Sequence, residues 1–346
     1  MKKLCVAVIL LFAFAVPAAA ADLQAPEPPD RVEDLLDPQR DSFSEGLQYV
    51  LSVALKEITP DLGECVRVCA AILGTVVILS LLRCYEGKSK EIVELSGVVT
   101  ISCLLLDTTH AMITLGAQTV AELSEYGKML IPVMTTALAA QGGTGSATAL
   151  CTATVFFDAA LTGVVSAVLV PAIYIYLTIA MVNAAVGDSL MKKMGDFIKW
   201  LSGWGLKLIL YAFTGYVSIT GVVTGTADQT AMKATKVALS GVVPVVGGIL
   251  SDASETILVG AAVVKNAIGV YGLLALLAIV IGPFLKIGMQ YLLMKLTAAV
   301  CGVFTDKSII GLLEAFSSAM GLLLAMTGTV CLLLMISVMC FLRGMG

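Results

Sequence analysis

The sequence has little charge. Asp, Glu, Lys and Arg make up only 13% of its 346 residues, whereas soluble domains carry roughly 25%. Hydrophobic residues account for 58%, and the mean hydropathy is +0.97. The basic residues form no dense stripe, which argues against nucleic-acid binding. Sustained alternation of apolar and polar residues is also missing, which argues against a membrane β-barrel. The composition therefore predicts an integral α-helical membrane protein.

Motifs for catalysis and metal binding are also missing. The single histidine rules out HExxH, and the nine cysteines contain no CxxC pair. The segment Gly87-Lys88-Ser89 resembles the end of a P-loop, but Leu82 stands where that motif requires glycine. We therefore expect no enzyme activity, no cofactor and no metal. Cys65 and Cys69 are interpreted as small buried hydrophobes, and their oxidation state stays open.

The N-terminus has the features of a cleavable signal peptide. Two lysines precede the apolar segment 4–16, and three alanines before Asp22 form an A-x-A-like cleavage site. An uncleaved first anchor is the alternative. We predict a signal peptide at 1–21, a short extracytoplasmic tether with an amphipathic helix at 22–64, and a polytopic membrane domain at 65–346.

About six transmembrane helices are expected in an all-α membrane domain. They are predicted at 66–82, 98–119, 147–187, 206–224, 271–284 and 317–342. The run 147–187 is twice as long as one span needs, so it is either one long helix or a tight pair. A single crossing places most loop lysines and arginines on one side of the membrane, as the positive-inside rule requires. That arrangement also puts both mature termini outside.

Amphipathic and broken segments lie between these spans. We expect an external helix at 42–59 closed by Pro60, an amphipathic segment at 121–140 interrupted at Pro132, and basic surface helices after residues 187 and 285. The segment 241–272 carries glycines, a proline and charges that a lipid-facing helix would not tolerate. It must line water, be buried in protein, or lie at the membrane surface.

Eight polar residues in or near the apolar runs are the candidate functional positions. Asp107 and His110 share a helix face and form either a proton or ion relay or a packing hydrogen bond. Asp158 either lines a pore or a subunit contact, or lies near the membrane–water interface. Lys265 and Asn266 mark a re-entrant turn or the end of a half-helix, while Asp252 and Glu255 fit a helix-capping pattern. Asn183 interrupts the run 147–187. The set is Asp107, His110, Asp158, Asn183, Asp252, Glu255, Lys265 and Asn266.

The run PVVGGILSDASETILVGAAVVKNAIGVYG, which ends at Gly272, resembles the stage III sporulation protein AE family of endospore-forming bacteria. The similarity extends over most of the mature chain, although the external N-terminal region is shorter than is common in the family. The resemblance implies a mother-cell protein in the outer forespore membrane. It also implies partnership with other stage III sporulation A proteins and a forespore membrane protein. Together these would form a channel or secretion-like complex required for late forespore gene expression.

A second function class stays open at this point. The chain could instead be a stand-alone secondary permease for a small solute or ion, because broken helices build substrate sites in transporters. Inverted repeats would favour the permease, and the sequence contains only a weak indication of such repeats. The amphipathic segments suit lateral contacts with other subunits, with lipid, or with further copies of this chain.

Overall fold

The computed structural model describes residues 25–29, 43–85, 90–140, 144–242, 247–305 and 307–343. Within these ranges, side chains are described except at 43–45, 57–61, 83–85, 90–91, 144, 146 and 220–265. Almost all described residues are helical and none lies in a strand, so the all-α prediction is confirmed. The elements are α1 (Phe43–Tyr85), α2 (Lys90–Ala140), α3 (Thr144–Val164), a π-helical segment (Val165–Leu169), α4 (Val170–Val186), α5 (Ser189–Val242), α6 (Gly247–Cys301) and α7 (Lys307–Arg343).

Helix α7 lies at the centre of the bundle. It contacts α2, α3, α4, α5 and α6, and buried residues occur along its full length and on most of its faces. A helix that is apolar all round is stable only when other helices or lipid surround it. The apolar composition of α7 is compatible with this central position.

Residue contacts give the direction of the neighbouring helices. Along α2 and α7 the contacts advance together, from Gly97 against Ile309 to Gly127 against Leu334, so these helices are parallel. In the same way, α3 and α4 run antiparallel to both α2 and α5.

Helix α6 runs in the opposite direction to α7. Gly269 lies against Leu342, near the end of α7, whereas Tyr291 lies against Gly321, closer to its beginning. With α3 and α4 counted as one pass along the bundle, the six helical passes that the structure describes alternate in direction. The described N-terminal and C-terminal helix ends consequently lie at the same end of the bundle.

Five helical segments are long and apolar enough to cross a membrane, and this confirms the prediction of a polytopic membrane protein. They are Leu62–Leu82, Ile92–Ala140, Ala147–Val186, Asn266–Cys301 and Lys307–Arg343. The further predicted span, 206–224, lies on α5 and runs into the region whose side chains are not described.

The run 147–187 forms one helical path with no reversal of direction. Pro171 is the second residue of α4, and its ring removes a donor that the preceding turn would otherwise use. The helix accommodates this with a π-helical turn, in which the Val170 N–H donates to the Val165 carbonyl. The 40 residues of Ala147–Val186 span about 60 Å at 1.5 Å per residue, about twice the hydrocarbon thickness.

Three local predictions about helix ends are wrong. α1 continues past Pro60, α2 continues past Pro132, and α6 continues through Lys265 and Asn266, where a re-entrant turn or half-helix end was expected. Proline has a helical φ and removes only one hydrogen bond, which a spanning helix tolerates. Beyond Asn266, the buried residue Ile268 keeps the inner face of α6 continuous.

Candidate functional site

A buried carboxylate lies where α2, α3 and α7 meet. Asp158 of α3 is only 4% exposed, and the Ser124 hydroxyl of α2 donates to its Oδ2 at 2.6 Å. The other carboxylate oxygen, Oδ1, has no hydrogen-bond partner among the described residues. Asp158 lines a small cavity together with Lys128, whose side chain is exposed. An ionisable group in a spanning helix is a candidate functional site, because an apolar surrounding penalises its charge.

A second polar contact adjoins this carboxylate. Thr154 lies one helical turn before Asp158 on α3 and lines the same cavity. Its hydroxyl forms a hydrogen bond with the Ser337 hydroxyl of α7, and both side chains are buried. Hydroxyl pairs of this kind join spanning helices. The junction therefore contains four side-chain oxygen groups, from three helices, within an otherwise apolar core.

A polar groove lies on the outer surface between α2 and α4. His110 Nδ1 and the Tyr174 hydroxyl are 2.7 Å apart, so a hydrogen bond joins the two helices. Asp107, Cys103 and Thr178 also line the groove. Asp107, His110, Cys103 and Tyr174 are all exposed, so these groups point away from the bundle core. We call this surface the lateral groove.

A polar cavity lies at the end of the bundle where α4 ends and α5 and α7 begin. It has a volume of about 470 Å³ and includes Asn183 in its lining. The Lys199 ammonium donates to the Ser318 hydroxyl at 2.9 Å across this cavity. Its charged lining residues are Lys192, Lys199, Lys307, Asp196 and Glu314. Gly187 (φ +74°) ends α4 in a left-handed conformation that glycine adopts at little cost.

The outer face of α5 carries an aromatic ladder next to this cavity. Phe197, Trp200 and Trp204 are exposed, and successive rings stack with centroids 6.1 and 6.0 Å apart. Lys193 and Lys207 are exposed on the same part of α5. Tryptophan beside lysine is typical of helix segments at a membrane–water interface.

The remaining predicted positions lie on α6. Asn266 is exposed, whereas the side chains of Asp252, Glu255 and Lys265 lie outside the described residues. The eight predicted positions are thus not gathered in one site. Asp107 and His110 share the lateral groove, while Asp158 and Asn183 belong to separate polar regions.

Sequence reasoning missed the partners of these residues. Tyr174, Ser124 and Ser337 form the hydrogen bonds described above. Tyr174 and Ser337 occur in ordinary apolar runs and Ser124 in an amphipathic segment, and none of them is part of a motif. Serine and threonine are common in spanning helices as packing residues, so their type alone gives no signal. Among the described side chains, no three His, Cys, Asp or Glu residues are grouped as metal ligands would be.

Comparison with known proteins gives a consistent result. A family model for stage III sporulation protein AE matches residues 30–343. The stage III sporulation protein AE of Bacillus subtilis (strain 168) is 21% identical over 275 residues, covering 77% of this chain and 69% of that protein. No solved structure matches the chain.

Proposed function

Because the chain belongs to the stage III sporulation protein AE family, we propose that it is a membrane component of a channel or secretion-like complex. This complex links the mother cell and the forespore and is required for late forespore gene expression. The protein lies in the outer forespore membrane, derived from the mother cell. It works by docking to other stage III sporulation A proteins and to a forespore membrane partner, without catalysing a reaction.

The lateral groove is the observation that supports the docking role. It lies on two segments apolar enough to span a membrane, Ile92–Ala140 and Ala147–Val186. Within it, Asp107 and His110 face outward. A carboxylate that faces lipid is costly, so such groups usually lie against protein or water. A neighbouring subunit would supply that environment.

The surroundings of the lateral groove fit a protein contact. Exposed apolar side chains, including Leu106 and Ile175, lie beside Asp107, His110 and Tyr174. Polar groups surrounded by apolar surface are the arrangement by which spanning helices associate, since packing and a few hydrogen bonds supply the affinity. The His110–Tyr174 hydrogen bond holds two of the polar side chains in place before a partner binds.

One observation favours the second candidate, a secondary permease. Asp158 is a buried acid in the bundle interior, and its Oδ1 has no hydrogen-bond partner among the described residues. Intramembrane acids of this kind occur on ion pathways. The cavity of about 10 Å³ is small, however, and the rest of the junction is tightly packed. We therefore rank docking above transport.

Affinity purification from sporulating cells in mild detergent tests the proposal. The tagged wild-type chain is expected to recover the other stage III sporulation A proteins. Asp107→Leu and His110→Leu variants should recover less of these proteins while reaching the membrane in normal amounts. Gln118→Leu is the matched control, because Gln118 is an exposed polar residue of α2 outside the lateral groove.

Two results would speak against docking through this surface. A clean preparation without partners would favour the permease. Undiminished recovery by both groove variants would move the contact to another face of the bundle.

A further inference from the structure

The polar cavity where α4 ends and α5 and α7 begin carries charges of both signs. We call it the terminal cavity. Its charged lining residues are three lysines and two acids, Lys192, Lys199, Lys307, Asp196 and Glu314. All five side chains are exposed, so a ligand can reach them. Within the described part of the chain, no ion pair joins these five residues to one another. Both the ammonium groups and the carboxylates can therefore take a partner of opposite charge from a ligand.

The charges alternate with depth in the terminal cavity. On α5, Lys192 lies in the first turn, Asp196 about one turn further along and Lys199 nearly one turn beyond that. Helix α7 starts at the same end of the bundle and repeats the order, with Lys307 followed by Glu314 about two turns later. A ligand that enters from the end of the bundle meets cations first, then carboxylates, then a further cation.

The terminal cavity is large enough for a small polar group. Its volume of about 470 Å³ lies within the range of roughly 300–1,000 Å³ that is usual for small-molecule sites. The Lys199 ammonium donates to the Ser318 hydroxyl at its deeper part, and the Asn183 amide adds a further polar group to the lining. These groups offer both donors and acceptors to a ligand.

The aromatic ladder of α5 lies next to the terminal cavity. Phe197, Trp200 and Trp204 are exposed and stacked. Successive residues of a helix are about 100° apart, which puts the ladder about a quarter turn around α5 from the charged residues that line the cavity. Tryptophan on a spanning protein marks the level of the lipid headgroups. A lipid molecule beside α5 can consequently reach the cavity with its headgroup and the ladder with its acyl chains.

The mixed charge of the lining selects the ligand class. Basic pockets between spanning helices bind phospholipid headgroups. A purely anionic headgroup, however, would place its phosphate beside two carboxylates that repel it. We propose that the terminal cavity binds a membrane phospholipid whose headgroup carries both a phosphate and a primary ammonium. The lysines hold the phosphate, and Asp196 and Glu314 accept hydrogen bonds from the ammonium. This inference does not rest on the docking role of the lateral groove.

Native mass spectrometry of the purified protein in detergent provides the test. Phosphatidylethanolamine, phosphatidylglycerol and phosphatidylcholine are offered separately, with the same acyl chains and at the same concentrations. Phosphatidylglycerol lacks the ammonium, and the quaternary ammonium of phosphatidylcholine has no N–H to donate. We expect one saturable site that binds phosphatidylethanolamine roughly tenfold more tightly than either of the others, because losing one charge-assisted hydrogen bond lowers affinity by about that factor.

Substitutions in the lining separate the two halves of the headgroup. Asp196→Asn and Glu314→Gln should reduce the preference for phosphatidylethanolamine over phosphatidylglycerol, because they remove the acceptors for the ammonium. Lys192→Gln and Lys307→Gln should weaken the binding of both lipids by a similar factor, because they remove partners of the phosphate. All four side chains are exposed, and the unfolding midpoint without added lipid checks that each variant is folded.

Two controls lie outside the terminal cavity. Lys193→Gln removes an exposed lysine of α5, and Glu125→Gln removes an exposed acid of α2, and neither residue lines the cavity. Both variants should keep the affinity and the lipid preference of the wild-type protein. Glycerophosphoethanolamine, the water-soluble headgroup without acyl chains, should fail to displace the bound lipid even in large excess.

Four outcomes would overturn the inference. Equal binding of the three lipids would indicate a lipid shell without a specific site. Tighter binding of phosphatidylglycerol would mean that the phosphate alone is recognised. A preference that survives both Asp196→Asn and Glu314→Gln would place the lipid elsewhere. Displacement by glycerophosphoethanolamine would make the ligand a water-soluble solute instead of a lipid.

Discussion

Replacing Gly272 by alanine should weaken the contact between α6 and α2. A Cβ at this position would lie 2.7 Å from Leu130 Cδ2 and 2.9 Å from its Cδ1. Ordinary carbon contacts are about 3.5–4.0 Å. Leu130 is fully buried, so its side chain can yield only by repacking against the residues that surround it. Overpacking of this kind costs about 1–3 kcal/mol of folding free energy.

Gly288→Ala on the same helix is the matched control. A Cβ there would lie 3.9 Å from the nearest side-chain atom, Leu324 Cδ2, which is a normal contact. Both substitutions gain the same helix propensity, up to about 1 kcal/mol. The difference in unfolding free energy between the two variants therefore isolates the packing cost. We expect Gly272→Ala to be less stable than Gly288→Ala by about 1–3 kcal/mol.

The assay is unfolding of the purified protein in detergent, followed by circular dichroism. Gly272→Ala should lower the midpoint by several degrees relative to Gly288→Ala. Adding Leu130→Ala should relieve the clash, so the double variant should be more stable than the sum of the single effects predicts, with a coupling of about 0.5–3 kcal/mol. Equal midpoints for the two glycine variants, or strict additivity, would refute the helix packing described here.

Three further predictions test other parts of the structure. Ser124→Ala removes the hydrogen bond to Asp158 and should lower stability by about 1 kcal/mol in the same unfolding assay; an unchanged midpoint would contradict a formed hydrogen bond. Trp200 and Trp204 are the two tryptophans of the chain and both are exposed, so brominated lipids should quench most of the intrinsic fluorescence, whereas little quenching would indicate a protein-covered face. Cysteines introduced at Lys128 and Lys193 should react with membrane-impermeant thiol reagents from opposite sides of the membrane, because the two residues lie towards opposite ends of the bundle. Labelling of both cysteines from the same side would contradict the alternating topology.

The fold class follows from composition and run length. Long apolar segments cannot leave backbone groups unpaired in a membrane, so they form helices. Helix ends were harder to predict. Proline and charged residues suggest that a helix ends, although here the helices continue through them. At Pro132, buried Ile131 and Met134 continue the inner face, and packing along that face outweighs one lost hydrogen bond.

The site was predictable only where a residue type is unusual in a membrane helix. Asp107, His110 and Asp158 stand out because ionisable groups are rare there. Their partners Tyr174 and Ser124 lie on other helices, 64 and 34 residues away. Such pairings depend on helix direction and register, which a single sequence with no local motif does not specify.

Crosslinking from the lateral groove in sporulating cells would test the docking role most directly. Cys103 is exposed there beside Asp107 and His110, so a cleavable thiol-reactive photocrosslinker reports its neighbours without any change of sequence. The expected result is a discrete adduct with another protein, present during sporulation, lost in Cys103→Ser and weakened in Asp107→Leu. Adducts with lipid alone in the wild-type protein would contradict a groove that docks to protein partners.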